Sequence, residues 1–235
     1  MRYVYTYALF ILALSTYGQK QVVYTNDEGD GEAYTVTFTP GESFYYPLIA
    51  IWLEDSAGNF LQTLYVPNSV ANGTFTFGII KDNTYQPGPK RLPAALPYWG
   101  HKRGVKAEDG YYFPTPKMPV PDAYSGASPT GAFVLNTRSD QPTPDGAYIL
   151  VEVNQSWDWN QYWNNSKYPQ NEAYKASAQP ALVYRLALDR LNENPVTMEL
   201  IGHSHHAGAN GRLFQDLSTF TTALTIFDKI TVERR

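Results

Sequence analysis

The 235-residue chain contains no cysteine, which excludes disulfide bonds, thiolate chemistry and zinc sites with sulfur ligands. It also lacks any run of Lys and Arg residues, and its 18 basic and 22 acidic residues give a net charge of −4. Because neutralising nucleic-acid phosphates requires a basic patch, we expect no nucleic-acid partner. Packing of side chains therefore has to hold the fold by itself.

No apolar run in the sequence is long enough to span a bilayer, which takes about 20 residues. The longest one near the start, YALFILAL, has eight residues, follows Arg2 and precedes the small residues Ser15, Thr16 and Gly18. This order is typical of a secretory signal peptide. We therefore predict a signal peptide over residues 1–18, a mature chain from Gln19 without a membrane span, and a periplasmic or secreted location.

Long stretches of good helix formers are also scarce, whereas Tyr, Thr and Val are frequent, which favours strands. Apolar and polar residues alternate in AYTVTFTP, the period that a strand with one buried face requires. Similar segments predict three hairpins, which turn near Gly58, near Gly146 and at residues 192–194. A further strand is expected at residues 73–80 and a last one at residues 226–233, with a helical turn considered at residues 217–224.

The predicted strands are expected to share one core that contains Ile51, Leu64, Val134, Ile149, Tyr184 and Ile230. Residues 87–121 hold eight prolines and show neither period, which predicts a long ordered loop. No repeat or linker divides residues 19–235. The sequence thus predicts one all-β domain, an antiparallel immunoglobulin-like β-sandwich with long loop insertions.

Several segments together resemble a bacterial family known as domain of unknown function 2271, described as predicted periplasmic proteins. They are IWLEDSAGNFLQTLYV, LPYWGHKRG, DAYSGASPTG, PDGAYILVEVN and IGHSHHAGANGRLFQDLSTFTTAL. The resemblance covers most of the mature chain and lies in the order and spacing of these segments. It implies an extracytoplasmic location and an association with flavin systems, and it implies no particular reaction.

In such systems a transferase links FMN to a Ser or Thr hydroxyl through a phosphoester. The acceptor motif resembles Asp-x-x-Ser/Thr-Gly-Ala-Ser/Thr, which matches Asp122, Ser125, Gly126, Ala127 and Ser128. The resemblance therefore implies a covalent FMN on Ser128, with a flavin transferase or a membrane redox partner acting on the protein. The alternative is a tight turn that leads into a strand at Phe133, with Asp122 capping backbone amides.

Three of the four histidines lie in GHSHHAGANG, and the fourth is His101. His203 and His205 would share one face of an extended segment, and imidazole suits first-row metals. His101, His203 and His205 are therefore candidate metal ligands. The alternative is that these side chains use their hydrogen bonds to order two loops.

Aromatic and amide side chains are concentrated in NQSWDWNQYWNNSKYP. Rings flanked by Asn and Gln are suited to stacking on a sugar or another flat ligand while hydrogen bonding its edge. Trp157, Trp159, Tyr162 and Trp163 therefore form a candidate ligand platform, although the same residues can simply order a structural loop.

No nucleophile stands at a familiar spacing from His and Asp, so the sequence indicates no hydrolytic triad. We expect an exported, non-enzymatic β-sandwich that serves an extracytoplasmic redox or metal-handling system. The alternative is a surface binding module for carbohydrate or protein that uses the aromatic segment.

Overall fold

A computed structural model describes residues 20–191 and 194–235. The predicted signal peptide and the middle of the predicted turn at residues 192–194 lie outside these ranges. The described chain is mostly β-sheet, as the sequence predicts. None of its helices is long and apolar enough to cross a membrane.

Thirteen strands and three α-helices follow one another along the described residues. The strands are β1 Gln21–Thr25, β2 Ala33–Pro40, β3 Leu48–Glu54, β4 Phe60–Pro67, β5 Thr74–Lys81, β6 Thr84–Pro89, β7 Ser125–Gly126, β8 Phe133–Arg138, β9 Tyr148–Asn154, β10 Leu182–Ala187, β11 Val196–Thr197, β12 Glu199–His203 and β13 Phe227–Arg234. The α-helices are α1 Asn68–Ala71, α2 Pro97–Arg103 and α3 Glu172–Ser177, and short 3-10 helices lie at Asp122–Tyr124, Leu188–Arg190 and Thr222–Thr225.

Two main sheets carry most of these strands. The five-stranded sheet has the order β1-β8-β2-β13-β11, and the six-stranded sheet has the order β12-β10-β9-β3-β4-β7. Most neighbours are antiparallel, but β1 pairs with β8 and β4 with β7 in parallel, so both sheets are mixed. A separate hairpin joins β5 to β6.

The predicted hairpin at Gly58 is confirmed, since β3 and β4 pair as antiparallel neighbours. Gly58 has a φ of +80°, a value that favours glycine. The Asp55 carboxylate accepts hydrogen bonds from the backbone N–H groups of Ala57 and Asn59 at 2.9 and 2.8 Å. Side chain and backbone thus define the same turn.

The other two predicted hairpins are wrong in part. The chain crosses between the sheets near Gly146, because β8 belongs to the five-stranded sheet and β9 to the six-stranded one. Each of these strands has an apolar face, and placing them in opposite sheets buries both faces against each other. At the hairpin predicted around residues 192–194, β10 pairs with β12 as expected, but β11 pairs with β13 in the five-stranded sheet. Met198 lies at the crossing and is buried in the core between the sheets.

The core between the sheets contains most of the predicted residues. Ile51, Leu64, Ile149 and Ile230 lie in one buried cluster, and Tyr184 packs against it. Val134 is buried but is not part of this cluster. Its neighbours Phe133 and Leu135 enter the core instead, and successive residues of a strand point to opposite faces.

A second buried cluster covers the other face of the six-stranded sheet, where the predicted loop over residues 87–121 folds back. This segment is more regular than predicted, because it contains the end of β6 and the helix α2. Trp99 of α2 is fully buried near Trp52 and Leu150 of the sheet. Its indole N–H donates a hydrogen bond of 3.0 Å to the Thr63 hydroxyl.

The start of α2 is capped by a residue that is distant in sequence. The carboxyl of Glu152 in β9 accepts hydrogen bonds from the backbone N–H groups of Tyr98 and Trp99 at 3.1 and 2.8 Å. The first N–H groups of a helix have no partner within the helix, and the N-cap residue Leu96 provides none. Burial raises the pKa of Glu152 to about 8, against the lowering effect of the two N–H donors.

Candidate functional site

The segment with the flavin-type motif forms a 3-10 helix at Asp122–Tyr124 and then the short strand β7. Within β7, Ser125 lies opposite Val66 and Gly126 opposite Pro67 of β4. The segment therefore runs along the edge of the six-stranded sheet, before the chain turns into β8 at Phe133.

Two side chains pack so closely against Gly126 that a larger residue has no room there. A Cβ atom at this position would lie 2.7 Å from Val23 Cγ1 and 3.2 Å from Tyr65 Cε2. The Tyr65 hydroxyl also donates a hydrogen bond of 2.7 Å to the Ala127 carbonyl. One side of the segment is thus packed against Tyr65, and the requirement for glycine at position 126 is a packing requirement.

The two serines of the motif lie in different environments. Ser125 is half-buried, and its hydroxyl donates to the Asp122 carbonyl at 3.3 Å. Ser128 is exposed, and its hydroxyl has no hydrogen-bond partner among the described residues. Of these two hydroxyls, only that of Ser128 is accessible without breaking a hydrogen bond.

Asp122 is exposed and does not provide the backbone cap that the turn interpretation requires. The N-cap of its 3-10 helix is Pro121, and no side chain caps this helix. Gln21 of β1 orders the segment instead. Its amide N–H donates to the Ser128 carbonyl at 3.1 Å, and its amide oxygen accepts from the Thr130 backbone N–H at 3.0 Å.

A cavity of about 430 Å³ opens beside this segment. Its volume lies in the range of sites that hold small molecules and cofactors. Its wall includes two of the five motif residues, Asp122 and Ser125. The other lining residues are Asn68, Ala71, Asn72, Pro119 and Val120.

The two histidine segments predicted to meet do lie together. The Cβ of His101 lies 2.5 Å from the place that a Cβ would take on Gly211, so the loop after β12 contacts α2. His101 and His203 both lower the pKa of His205, although burial has the larger effect. His205 and His206 stack with their ring centroids 4.2 Å apart.

Hydrogen bonds assign different roles to the ring nitrogens. His101 Nδ1 lies 2.8 Å from the Pro97 carbonyl and His203 Nδ1 lies 2.7 Å from the Ser204 carbonyl, so both Nδ1–H groups donate. His205 Nδ1 instead accepts from the backbone N–H groups of Ala207 and Ala209 at 3.1 and 3.4 Å. The neutral His205 ring therefore carries its proton on Nε2, which leaves no free lone pair for a metal.

Residues 20–191 and 194–235 contain no group of three or more His, Cys, Asp or Glu side chains arranged to hold a metal ion. The metal site of His101, His203 and His205 thus stays a prediction without supporting geometry. The loop-ordering alternative agrees with the bonds of His203 and His205. His206 packs further into the aromatic cluster, with its ring stacked on Tyr168 at 4.1 Å.

The four aromatic residues predicted as a ligand platform do not form one surface. Trp163 is buried, and its indole N–H donates to the Thr219 hydroxyl at 3.1 Å. Trp159 packs against the main core. Trp157 and Tyr162 remain exposed by 57% and 47%, which reduces the candidate platform to these two rings.

A cavity of about 460 Å³ lies beside Tyr162. Most of its lining side chains are polar, and they are Asn160, Gln161, Ser218, Thr219 and Thr221. The Asn160 amide is already used, because its oxygen accepts from the backbone N–H groups of Tyr162 and Trp163. The Gln161 amide has no hydrogen-bond partner in the described part of the chain, whereas the Ser218 side chain and its backbone N–H hydrogen bond to the Asp216 carboxylate.

Sequence reasoning missed two charged groups near α2, Glu152 and Arg103. Glu152 stands inside the apolar strand segment AYILVEV, and that interruption of the period was a signal for a buried carboxyl. Arg103 ends α2, and nothing in LPYWGHKRG distinguishes it from an exposed base.

No protein-family model matches the chain, and no characterised protein with a similar sequence is found.

Proposed function

We propose that this protein is an exported, non-enzymatic redox component that carries a covalent FMN on Ser128. The observation that carries the proposal is the free, exposed hydroxyl of Ser128, in contrast to the engaged hydroxyl of Ser125. An acceptor serine must be accessible to a second protein. The resemblance to the family with domain of unknown function 2271 supports the same assignment.

The surroundings of Ser128 fit this role in two further respects. The residue before Ser128 is the small, exposed Ala127, whose side chain does not block the approach of a bulky flavin donor. The backbone on either side is fixed by Tyr65 and Gln21, which keeps the hydroxyl in place. Asp122 is exposed and free to contact the transferase.

Attachment would form a bond between Ser128 Oγ and the FMN phosphorus. With FAD as donor, the phosphoanhydride bond breaks, AMP leaves, and the serine proton passes to a base on the transferase. Bound FMN supplies one- and two-electron transfer. Asp122 and Ser125, which line the neighbouring cavity, are motif residues that could contact the flavin.

The proposal includes an immunoglobulin-like scaffold and a location outside the cytoplasm. Two sheets around one core support the scaffold. The predicted signal peptide over residues 1–18 supports export. The metal-handling role has no geometric support in the described residues, so the proposal rests on the flavin role, with a flavin transferase and a membrane redox partner.

Co-expression with an extracytoplasmic flavin transferase tests the attachment. Tryptic mass spectrometry should find an FMN-sized addition on the peptide with Ser128, and Ser128→Ala should abolish it. Thr130→Ala is the matched control and should retain the addition, because it removes an exposed residue's hydroxyl on the same loop but outside the motif. Unmodified Ser128 under conditions that label a known acceptor would refute the proposal.

A second candidate function is a surface binding module for carbohydrate. The exposed Tyr162 ring beside the cavity with Gln161 and Ser218 favours it, since sugars bind through ring stacking and polar contacts. Glycan-array binding that is lost in Tyr162→Ala and kept in Tyr111→Ala, an exposed tyrosine elsewhere, would support this function. Absence of any glycan signal would exclude it for the sugars on the array.

A further inference from the structure

A further cleft, which shares Val120 with the cavity beside the motif segment, lies where the C-terminal end of α2 meets the start of β4. It has a volume of about 340 Å³. Apolar side chains form much of its wall, and four polar ones join them. The lining residues that matter for its chemistry are Gln62, Arg103, Val105, Val120, Tyr124 and Asp140.

Arg103 lines this cleft and forms no ion pair among the described residues. None of its N–H groups has an acceptor among the described residues, and its Nη1 is buried without a partner. The guanidinium lies over the Trp99 ring, 5.6 Å from the centroid. Burial lowers the pKa of Arg103, because removal from water disfavours the charged form.

Gln62 presents a second unpaired donor in the same wall. Its amide oxygen accepts from the Asp140 backbone N–H at 2.7 Å, which fixes the orientation of the amide. The amide nitrogen Nε2 is then buried with no acceptor. Buried donors are normally paired, so two in one cleft need an explanation.

The carboxylate of Asp140 does not accept a hydrogen bond from Arg103 or from Gln62 Nε2. Its oxygens accept hydrogen bonds from other groups instead. The Tyr124 hydroxyl donates to it at 2.6 Å and the Asn26 amide donates at 2.7 Å. Asp140 and Arg103 are not among the ion pairs of the described residues. The negative charge of Asp140 nevertheless disfavours a ligand that carries several negative charges.

We propose that this cleft binds a singly charged organic carboxylate with an apolar body. The half-buried Arg103 side chain would donate to the carboxylate oxygens, the geometry for which the guanidinium fork is suited. Val105, Val120 and the neighbouring apolar wall would cover the rest of the molecule. This inference does not depend on the flavin proposal.

Benzoate is a suitable probe, with benzamide as its neutral counterpart of the same shape. Titration of the mature protein followed by NMR chemical shifts should show benzoate binding at the cleft and benzamide binding at least tenfold more weakly. Arg103→Met keeps an apolar stem on Trp99 and removes the charge. It should weaken benzoate binding roughly tenfold or more, since hydrogen bonds to charged groups contribute about 1.5–3 kcal/mol.

Lys106→Met is the matched control, because Lys106 carries the same charge, is exposed and does not line the cleft. It should leave benzoate binding unchanged. Arg103→Met should not lower the melting temperature, because the charge it removes is unpaired, and this separates loss of binding from misfolding. Equal binding of benzoate and benzamide, or benzoate binding that survives Arg103→Met, would overturn the proposal, as would no benzoate binding to the wild-type protein.

Discussion

The substitution Glu152→Gln should destabilise the protein at acidic pH and stabilise it at basic pH. The wild-type carboxyl has a pKa of about 8 in the folded protein, against an ordinary value of 4.5. Below pH 4.5 it is protonated in both states. Between these values the unfolded chain releases the proton and the folded chain keeps it, so wild-type stability falls as pH rises.

The size of this fall follows from the two pKa values. Each pKa unit is worth about 1.36 kcal/mol, so Glu152 removes at most about 5 kcal/mol of stability between pH 4.5 and pH 8. Gln has no such dependence. It offers one acceptor oxygen to the N–H groups of Tyr98 and Trp99, and the buried donor that loses its partner costs about 1–3 kcal/mol.

We therefore expect Glu152→Gln to be less stable than wild type by about 1–3 kcal/mol at pH 4.5 and more stable by roughly 2–4 kcal/mol at pH 8.5. Urea unfolding at intervals of pH, with the two curves subtracted, measures the difference. Glu28→Gln removes an exposed carboxyl and should reproduce the wild-type curve. A difference that does not change with pH would refute the assignment of a neutral Glu152 at the start of α2.

Three further predictions concern the candidate sites and the start of the chain. Gly126→Ala should destabilise the protein by about 1–3 kcal/mol in urea unfolding through its contact with Val23, and Val23→Ala should restore part of the loss; no rescue would contradict this packing. Burial lowers the pKa of His206 to about 4, so stability should fall as pH drops from 6.5 towards 4, and His206→Phe should flatten that part of the curve; an unchanged acid limb would count against it. N-terminal sequencing of the exported protein should start at Gln19, and a retained Met1 would exclude the predicted signal peptide.

Local patterns in the sequence were sufficient for most strands and for one hairpin. AYTVTFTP alternates cleanly because one of its faces is buried, and β2 occupies the same residues as predicted. The turn at Gly58 is a local object, since Asp55 and the glycine define it within five residues. Four of the predicted core residues followed from the same period, whereas Val134 was assigned to the wrong face.

Local sequence patterns did not determine which of the two sheets each strand joins. The same turn chemistry at Gly146 closes no hairpin, because β8 and β9 belong to opposite sheets and their apolar faces pack in the core between those sheets. Helix α2 depends on a partner in β9, which supplies the acceptor for its first N–H groups. Its seven residues are too few to be stable on their own helical propensity.

The candidate sites divide in the same way. Residue type singled out the histidines and the aromatic segment, and the family resemblance singled out the segment that resembles an acceptor motif, because none of these observations needs geometry. Only the tertiary structure showed that Ser128 is exposed while the Ser125 hydroxyl is hydrogen-bonded, that Tyr162 is exposed while Trp163 is buried, and that Arg103 differs from other surface bases. Exposure and the absence of a partner depend on residues that are distant in sequence, so the folded chain had to decide them.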